Sequence, residues 1–466
     1  MKKIILVGLT VIAWNVNAQT PSGATTSFSL KQAIDYAYQN QINVKNAILD
    51  QAIAKQRVKE LTGMGLPQIG SSVDVKDFLE IPTSVLPDFI SPAIYGVNTS
   101  GFGLTPINPY VPGDGVPVKF GTQYQATAGL DASQLLFSGD YFLGLKAAKV
   151  FVELSDRAAD RTKIETAIAV SKAYYTVLVN DERLKLMQAN VDQLKKTKDD
   201  TKALNENGFV EKIDYDRLTV IYTNLIVEQE KVQRLLSLGT YLLKYQMGMD
   251  VNATITLTDK LDDIKFDEVT STISAEKFDY NKRVEYNLYQ SQYDLAKLDF
   301  KRNRFSYLPN AFAYGSLSAN ALRNKFDIFD TQKGWYPTAL IGATIKLPIF
   351  TSGQRHFKIQ QAKLSLQKAE NNIAFIKQSI DLELASSLTM LQNASSSLAN
   401  QKKNIELAAE VFRVSKIKYD QGVGSNLEML TAETTLKEAQ TNYYTALFDA
   451  LVSKIDFDKA SGTLIK

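Results

Sequence analysis

"LPIFTSGQRHFKIQQAK", residues 347–363, reads as a strand closing on Pro-Ile-Phe, a turn through Ser352 and Gly353, and a helix that starts at once. "QLLFSGDYFLGLKAAK", residues 134–149, writes the same junction some two hundred residues earlier, with Phe137 and Gly139 in the places of Phe350 and Gly353. One chain that passes twice from strand straight into helix points to a duplicated unit, and self-comparison tests that before any element is assigned.

The test succeeds. Ala148 and Lys149 return as Ala362 and Lys363, Gly208 as Gly422, and Gly248 as Gly462, all at an offset of 214. Upstream of the junctions, "RVKELTGMGLPQ" (57–68) pairs with "DFKRNRFSYLPN" (299–310) at an offset of 242. The difference of 28 residues is an insertion in the first copy, between Pro67 and Ala148. That interval holds seven of the twelve prolines, so a long Pro/Gly loop is expected at 80–118.

Each copy has the same order: a helix, a strand pair, a very long helix, a short turn and a second helix. Helices are expected at 30–63, 140–204 and 212–247, then at 277–306, 354–420 and 427–460. Ile373, Ile376, Ile380, Leu384, Leu388 and Leu391 recur at three and four residues, and no proline interrupts these stretches. A helix of about 65 residues at ~1.5 Å per residue approaches 100 Å. Alanines on its apolar stripe, Ala362, Ala369, Ala374 and Ala385, suit close packing along a coiled-coil seam, or equally an ordinary bundle core.

Four segments alternate as strands do. "KFGTQYQATAGLDASQ" (119–134) sets Phe120, Tyr124, Ala126, Ala128, Leu130 and Ala132 against Lys119, Gln123, Gln125, Thr127 and Asp131. "WYPTALIGATIKLPI" (335–349) and "QIGSSVDVKD" (68–77) behave alike. "NAFAYGSLSAN" (310–320) is ambiguous, with small residues on one face and Phe312 and Tyr314 on the other. Strand pairs are therefore expected at 68–137 and 310–349. Each segment reaches the ~9–11 residues of a tilted membrane strand, with Phe120, Trp335 and Tyr336 placed for an interfacial girdle. Four strands close no barrel, and lipid tolerates no open edge, so such a chain must complete its sheet with copies of itself.

The opening "MKKIILVGLTVIAWNVNAQ" has two lysines, an apolar run too short to span a bilayer and a small-residue site at Ala18, the layout of a secretory signal over 1–18. The expected organisation is then a first repeat at 19–248, an intermediate segment at 249–276 and a second repeat at 277–466. With no cysteine there are no disulfides, thiolate metal sites or lipid-modified cysteine. Without Lys2 and Lys3 the chain carries 51 basic against 50 acidic residues, which gives no reason to expect nucleic acid as a partner.

The repeated order resembles the TolC-like outer-membrane efflux protein family. The residues that carry the resemblance are "LLFSGDY" and "LPIFTSGQR" at the junctions, "YLP" at 307–309, and "KYDQGVGSNLEMLTAETTLKEAQTNY" at 418–443, with its Tyr419, Gly422, Leu427-Glu428 and Ala432-Glu433. The resemblance covers nearly the whole mature chain. It implies a mixed α/β membrane protein: a trimeric twelve-stranded β-barrel in the outer membrane, four strands per subunit, joined to a long α-helical coiled-coil barrel in the periplasm. It also implies a periplasmic adaptor (membrane fusion protein) and an inner-membrane pump of RND or ABC type as partners, outer-membrane lipid around the barrel, and an equatorial belt at 249–276.

The tip turns are "LNENGFVEKIDYD" and "YDQGVGSNLEMLT". Gly208 and Gly422 suit positive φ there. Six residues beyond each stands an acid, Asp214 and Glu428. The resemblance makes these the lining of a constricted periplasmic gate, with Tyr419 holding the closed tip by hydrogen bonds. Thr431 stands where the family prototype has a second acid, so a weaker acidic ring is expected. The single histidine, His356, gives neither a zinc set nor a hydrolase triad, and there is no phosphate-binding glycine loop, so an enzyme and a bound cofactor are not expected. A secreted coiled-coil scaffold or adhesin accounts for the signal and the helices, but not for two strand pairs with lipid-like alternation.

Overall fold

The computed structural model describes residues 26–86, 116–261, 278–330 and 332–464. The elements run β1 (Thr26–Phe28), α1 (Leu30–Asn40), α2 (Ile42–Gly63), β2 (Gln68–Asp77), β3 (Thr83–Leu86), β4 (Val116–Lys119), β5 (Tyr124–Phe137), α3 (Gly139–Glu206) and α4 (Lys212–Met247). They continue with β6 (Ile255–Leu257), α5 (Val284–Phe305), β7 (Asn310–Arg323), β8 (Tyr336–Lys346), α6 (Gln354–Asp420) and α7 (Asn426–Ser461). The expected leader at 1–18, most of the 80–118 loop and the later part of the 249–276 segment lie outside the described residues.

Two compact units emerge. In one, formed by Ala54–Val152 and Tyr293–Ala369, the four long strands make a single antiparallel sheet in the order β2-β5-β7-β8. The register assigns every residue to a face. One cross-strand row is Ile69, Ala132, Gly315 and Ile341; a row on the other face, three residues along, is Ser72, Gly129, Ser318 and Thr338. The first face is mostly apolar, with Ile69, Val73, Val75, Leu130, Leu317, Ile341 and Ile345 exposed; Ser71 and Gln134 also fall on it, and at one end Ala126 and Ala321 are buried with Ile328. The second carries a hydrogen-bonded polar ladder in which Thr127 Oγ1 donates to Asn320 Oδ1 at 2.8 Å and Asn320 Nδ2 donates to Thr338 Oγ1 at 3.0 Å. Phe312 and Tyr314 stand on that polar face, which removes the ambiguity of β7.

The alternation expected over 119–134 is not one strand. It breaks at 120–123, where Gly121 has φ 133°, and β4 pairs instead with β3, so both ends of the expected loop are a short ladder. Likewise β8 ends at Lys346, short of the expected 349. The two strand-to-helix junctions also differ. Gly353 (φ 79°) follows Ser352 (φ 48°) in a left-handed turn, whereas Gly139 has no such φ and is needed because an added Cβ would stand 3.0 Å from the Phe305 carbonyl oxygen.

The other unit is formed by the described residues of Met1–Ile53, Glu153–Gln292 and Glu370–Lys466. Its largest core packs Ala33 and Ala37 of α1 against Val170, Tyr174 and Val177 of α3 and Leu243 and Met247 of α4. The helix expected at 30–63 is broken at Gln41, whose backbone is extended (φ −67°, ψ 129°). The break has a cause. Gly248 caps α4 in the left-handed conformation (φ 72°), and a Cβ on it would lie 2.7 Å from the Asn40 oxygen and the Gln41 Cα, so this cap seats on the interruption. The second repeat does the same: Gly462 (φ 72°) caps α7 against Lys282, and the helix expected at 277–306 begins only at Val284, after a 3-10 turn at Tyr280–Lys282. Gln41 and Arg283 are 242 apart, and Gly248 and Gly462 are 214 apart, the two offsets of the duplication.

Arg283 fills the second of these breaks, its side chain nearly inaccessible. It donates from Nε to Glu285 Oε2 at 3.0 Å, from Nη2 to Glu383 Oε2 at 2.6 Å and from Nη1 to the Ala460 carbonyl at 2.9 Å, while Lys459 Nζ reaches Glu383 Oε1 at 2.9 Å. Burial opposes ionisation of Glu383, but hydrogen bonds from Lys459 and Arg283 outweigh it and hold the carboxyl below its ordinary value.

The early part of the 249–276 segment pairs β6 in parallel with β1, and Asp259 Oδ2 accepts from the Leu30 backbone N–H at 2.8 Å. Of the alanine stripe on α6, only Ala362 is buried, and Ile380, Ser387 and Leu391 make the seam. Ala374 and Ala385 are exposed because a single chain covers only a narrow strip of so long a helix.

Candidate gate at the helix tips

Both tip turns close by the same backbone device. The Gly208 N–H donates to the Asn205 carbonyl and the Phe209 N–H to the Leu204 carbonyl, each at 2.9 Å; Gly422 donates to Tyr419 and Val423 to Lys418 at 2.9 and 3.0 Å. These paired bonds are the Schellman closure, which needs a left-handed residue, and Gly208 (φ 78°) and Gly422 (φ 71°) supply it. A Cβ at either would meet open space, so conformation alone requires glycine there.

Asp214 and Glu428 each fall at the third position of the helix that follows, where the free N–H groups of the first turn favour a carboxylate. Their surroundings differ. Asn426 Nδ2 donates to Asp214 Oδ1 at 2.8 Å, Arg217 lies 3.8 Å from the same oxygen, and the Asp214 side chain is 23% exposed. Glu428 is 50% exposed and pairs with Lys418 at 3.3 Å, while its backbone N–H donates to Ser425 Oγ at 3.1 Å. Thr431 is exposed and its hydroxyl donates to the Leu427 carbonyl of its own helix at 2.8 Å. Tyr419 packs against the core formed by Met187, Leu218, Leu225, Met429 and Leu430, and its buried hydroxyl has no partner among the described residues.

The structure thus brings Asp214 to Asn426, joining the two tip hairpins, and leaves Glu428 at the surface. Asn426, itself buried, was not among the expected site residues, and neither were Ser425 and Lys418. Ser425 with Glu428 is a Ser-x-x-Glu capping pattern and was legible. Asn426 gave no signal, because its partner lies 212 residues away. No group of three potential metal ligands exists among the described residues, and no helix among them is long and apolar enough to cross a membrane.

A sheet with one apolar exposed face and one polar face, carried on a chain of long helical hairpins that end in capped tips, defines a class: a membrane channel subunit with a helical extension. Comparison with known proteins shows what the chain is similar to. Residues 292–463 match the family model for outer membrane efflux protein. The chain is 24% identical over 345 residues to the antibiotic efflux pump outer membrane protein ArpC of Pseudomonas putida, covering 73% of this chain and 69% of that protein. It is 20% identical over 347 residues to the outer membrane protein TolC of Vibrio cholerae, covering 72% and 77%. Among solved structures it is similar to the CmeC outer membrane channel of Campylobacter jejuni, with a TM-score of 0.72 at 16% identity, covering 98% of this chain and 94% of that one. VceC of Vibrio cholerae gives 0.67 at 15% identity, covering 93% and 96%. Residues 292–463 thus carry the outer membrane efflux protein family's model, and the chain as a whole is similar in sequence and fold to outer membrane efflux channels, TolC among them.

Proposed function

We propose that the chain is the exit duct of a tripartite efflux or type I secretion system, passively conducting substrates handed over by a periplasmic adaptor and an inner-membrane pump. The observation that carries this reading is the sheet: its apolar face is bare and its polar face is laddered, while β2 and β8 are left as free edges. In lipid an unpaired edge is not tolerated, so β2 of one copy pairs with β8 of the next. Three copies give the twelve strands that the family resemblance implies, with the helices forming a barrel in the periplasm. An apolar groove between α4 and α7 near the tips, lined by Ile213, Val220, Leu427 and Leu430, fits the docking of an adaptor.

At the tips, Asp214 and Glu428 from three subunits make a ring of six carboxylates that favours cations. Lys418 beside Glu428 tempers that ring, though an exposed pair contributes little. The test is Glu428→Ala in planar bilayers. Higher closed-state conductance or reduced cation selectivity is expected, and unchanged ion selectivity would remove Glu428 from the gate.

A further inference from the structure

The end of the sheet from which the helices depart carries a pattern that conduction does not use. A bulge at Leu136 in β5 carries Phe137 onto the apolar sheet face, opposite Ala311. There its ring meets that of Phe142 in the first turn of α3, centroids 6.2 Å apart. Phe142 therefore marks the side of α3 that continues the apolar face. Lys146 and Lys149 follow at i+4 and i+7, the spacing that keeps side chains on one helix face. Both are exposed, and neither has an ion-pair partner among the described residues. The offset of 214 makes Lys363 of α6 the counterpart of Lys149 in the second copy, and it too is exposed.

The surrounding chain is basic out of proportion to the whole protein. In this unit, Lys and Arg outnumber Asp and Glu by three to one in 54–63, two to one in 139–152, four to two in 293–305 and four to none in 354–369. The full sequence is nearly balanced at 53 to 50. The first turn of α6 holds no acid, although a helix N-terminus favours one. Exposed Ile349 and Phe350, the latter 84% exposed, lie at the same end of the sheet.

We propose that this outward helix face binds the headgroups of anionic phospholipids, with Lys146, Lys149 and Lys363 on the phosphates and Phe142 beside the acyl chains. The inference rests on the sheet's apolar face being its lipid face. The order of chemistry along α3 matches the order of a leaflet: an aromatic ring continuous with the apolar face, then cations one and two turns further along. Lysine stems are long enough to reach back along apolar surface to a phosphate. The cations form a row beside that surface and converge on no pocket, which favours a lipid layer over a soluble anion. The contact of Phe142 with Phe137 turns them away from the polar face, which argues against a role in drawing anionic cargo.

The test places the full-length protein in nanodiscs of phosphatidylethanolamine mixed with phosphatidylglycerol and measures the composition of co-purified lipid. Phosphatidylglycerol should be enriched around the native protein. The enrichment should fall by roughly fivefold per lysine in K146Q/K149Q, and persist in K76Q/K346Q, which removes the same charge from the polar sheet face. Equal enrichment in K146Q/K149Q and the native protein overturns the inference, as does a changed ion selectivity in K146Q/K149Q, which would place the lysines in the lumen. A protein that inserts and conducts without any lipid preference defeats this inference alone; one that does not enter nanodiscs defeats the duct reading with it.

Discussion

Four glycines end the four helices that precede a turn or the chain's last residues, and alanine at each should separate two physical effects. Gly208, Gly248, Gly422 and Gly462 have φ of 78°, 72°, 71° and 72°, so the conformational penalty of alanine is the same at all four. It is about 1–2 kcal/mol, partly offset by the smaller entropy of the unfolded alanine chain, for a net of about 1 kcal/mol. The surroundings are not the same. At Gly208 and Gly422 a methyl group meets nothing, whereas at Gly248 it would sit 2.7 Å from the Asn40 oxygen and at Gly462 2.8 Å from the Lys282 oxygen. Those are backbone atoms that cannot rotate away, and overpacking of this kind adds about 1–3 kcal/mol. Gly208→Ala and Gly422→Ala should therefore lower the apparent midpoint of helix loss by about 1–3 °C, and Gly248→Ala and Gly462→Ala by about 4–10 °C. The assay is circular dichroism of the detergent-solubilised protein at one fixed scan rate, since unfolding of such an assembly is expected to be irreversible. Equal shifts at Gly208 and Gly248 would refute the idea that the α1–α2 break exists to seat the α4 cap.

Three further outcomes are expected. Arg283→Met leaves Glu285, Glu383 and the Ala460 carbonyl short of a buried donor and should destabilise by about 3–5 kcal/mol in the same melts, more than Glu383→Gln. Because the Glu383 carboxyl titrates below its ordinary value, its contribution is full above the unfolded value of about 4.3 and is lost as pH falls through the lower folded one; melts below about pH 4 should show that loss in the native protein and a flatter profile in Glu383→Gln. Asn426→Ala takes the donor from Asp214 and should cost about 1–2 kcal/mol, read locally as faster amide exchange in the first turns of α4 and α7, while unchanged exchange would mean that the two hairpins are not joined there.

Much of this architecture was legible because it is periodic. Residues 354–420 and 426–461 are helical where apolar residues recur at three and four positions, and β8 follows the alternation of Ala339, Ile341, Ala343 and Ile345. What escaped the sequence is what depends on distant contacts. Gln41 carries no helix-breaking character, and the helix stops there because the Gly248 cap arrives from another part of the chain. The strand that alternation extends back to Lys119 is interrupted because Gly121 takes a backbone conformation that no pattern of side chains announces. At the tips, glycine positions and acids stood out by their spacing, whereas the Asn426 bond to Asp214 joins residues far apart in the chain.

The duplication also shows where its two copies have parted. A sheet edge, a helix seam and a glycine cap are shape requirements, and the copies meet them in the same way at Gly248 and Gly462 and at Gly208 and Gly422. At the junction they do not. Tyr141 packs over Gly65 and its hydroxyl donates to the Thr62 carbonyl at 3.2 Å; at the corresponding places in the second copy, Arg355 lies over the Tyr307 ring, 5.7 Å from its centre, with one guanidinium nitrogen buried and without a partner among the described residues. At the tip, Ser425 caps α7 by its side chain, whereas Glu211 begins α4 without such a bond, and the two acids that follow are held differently. The Asn426–Asp214 bond ties the two tips of the chain to each other, and within that tie the acids differ: Asp214 is held by Asn426 and lies 3.8 Å from Arg217, while Glu428 stays at the surface beside Lys418.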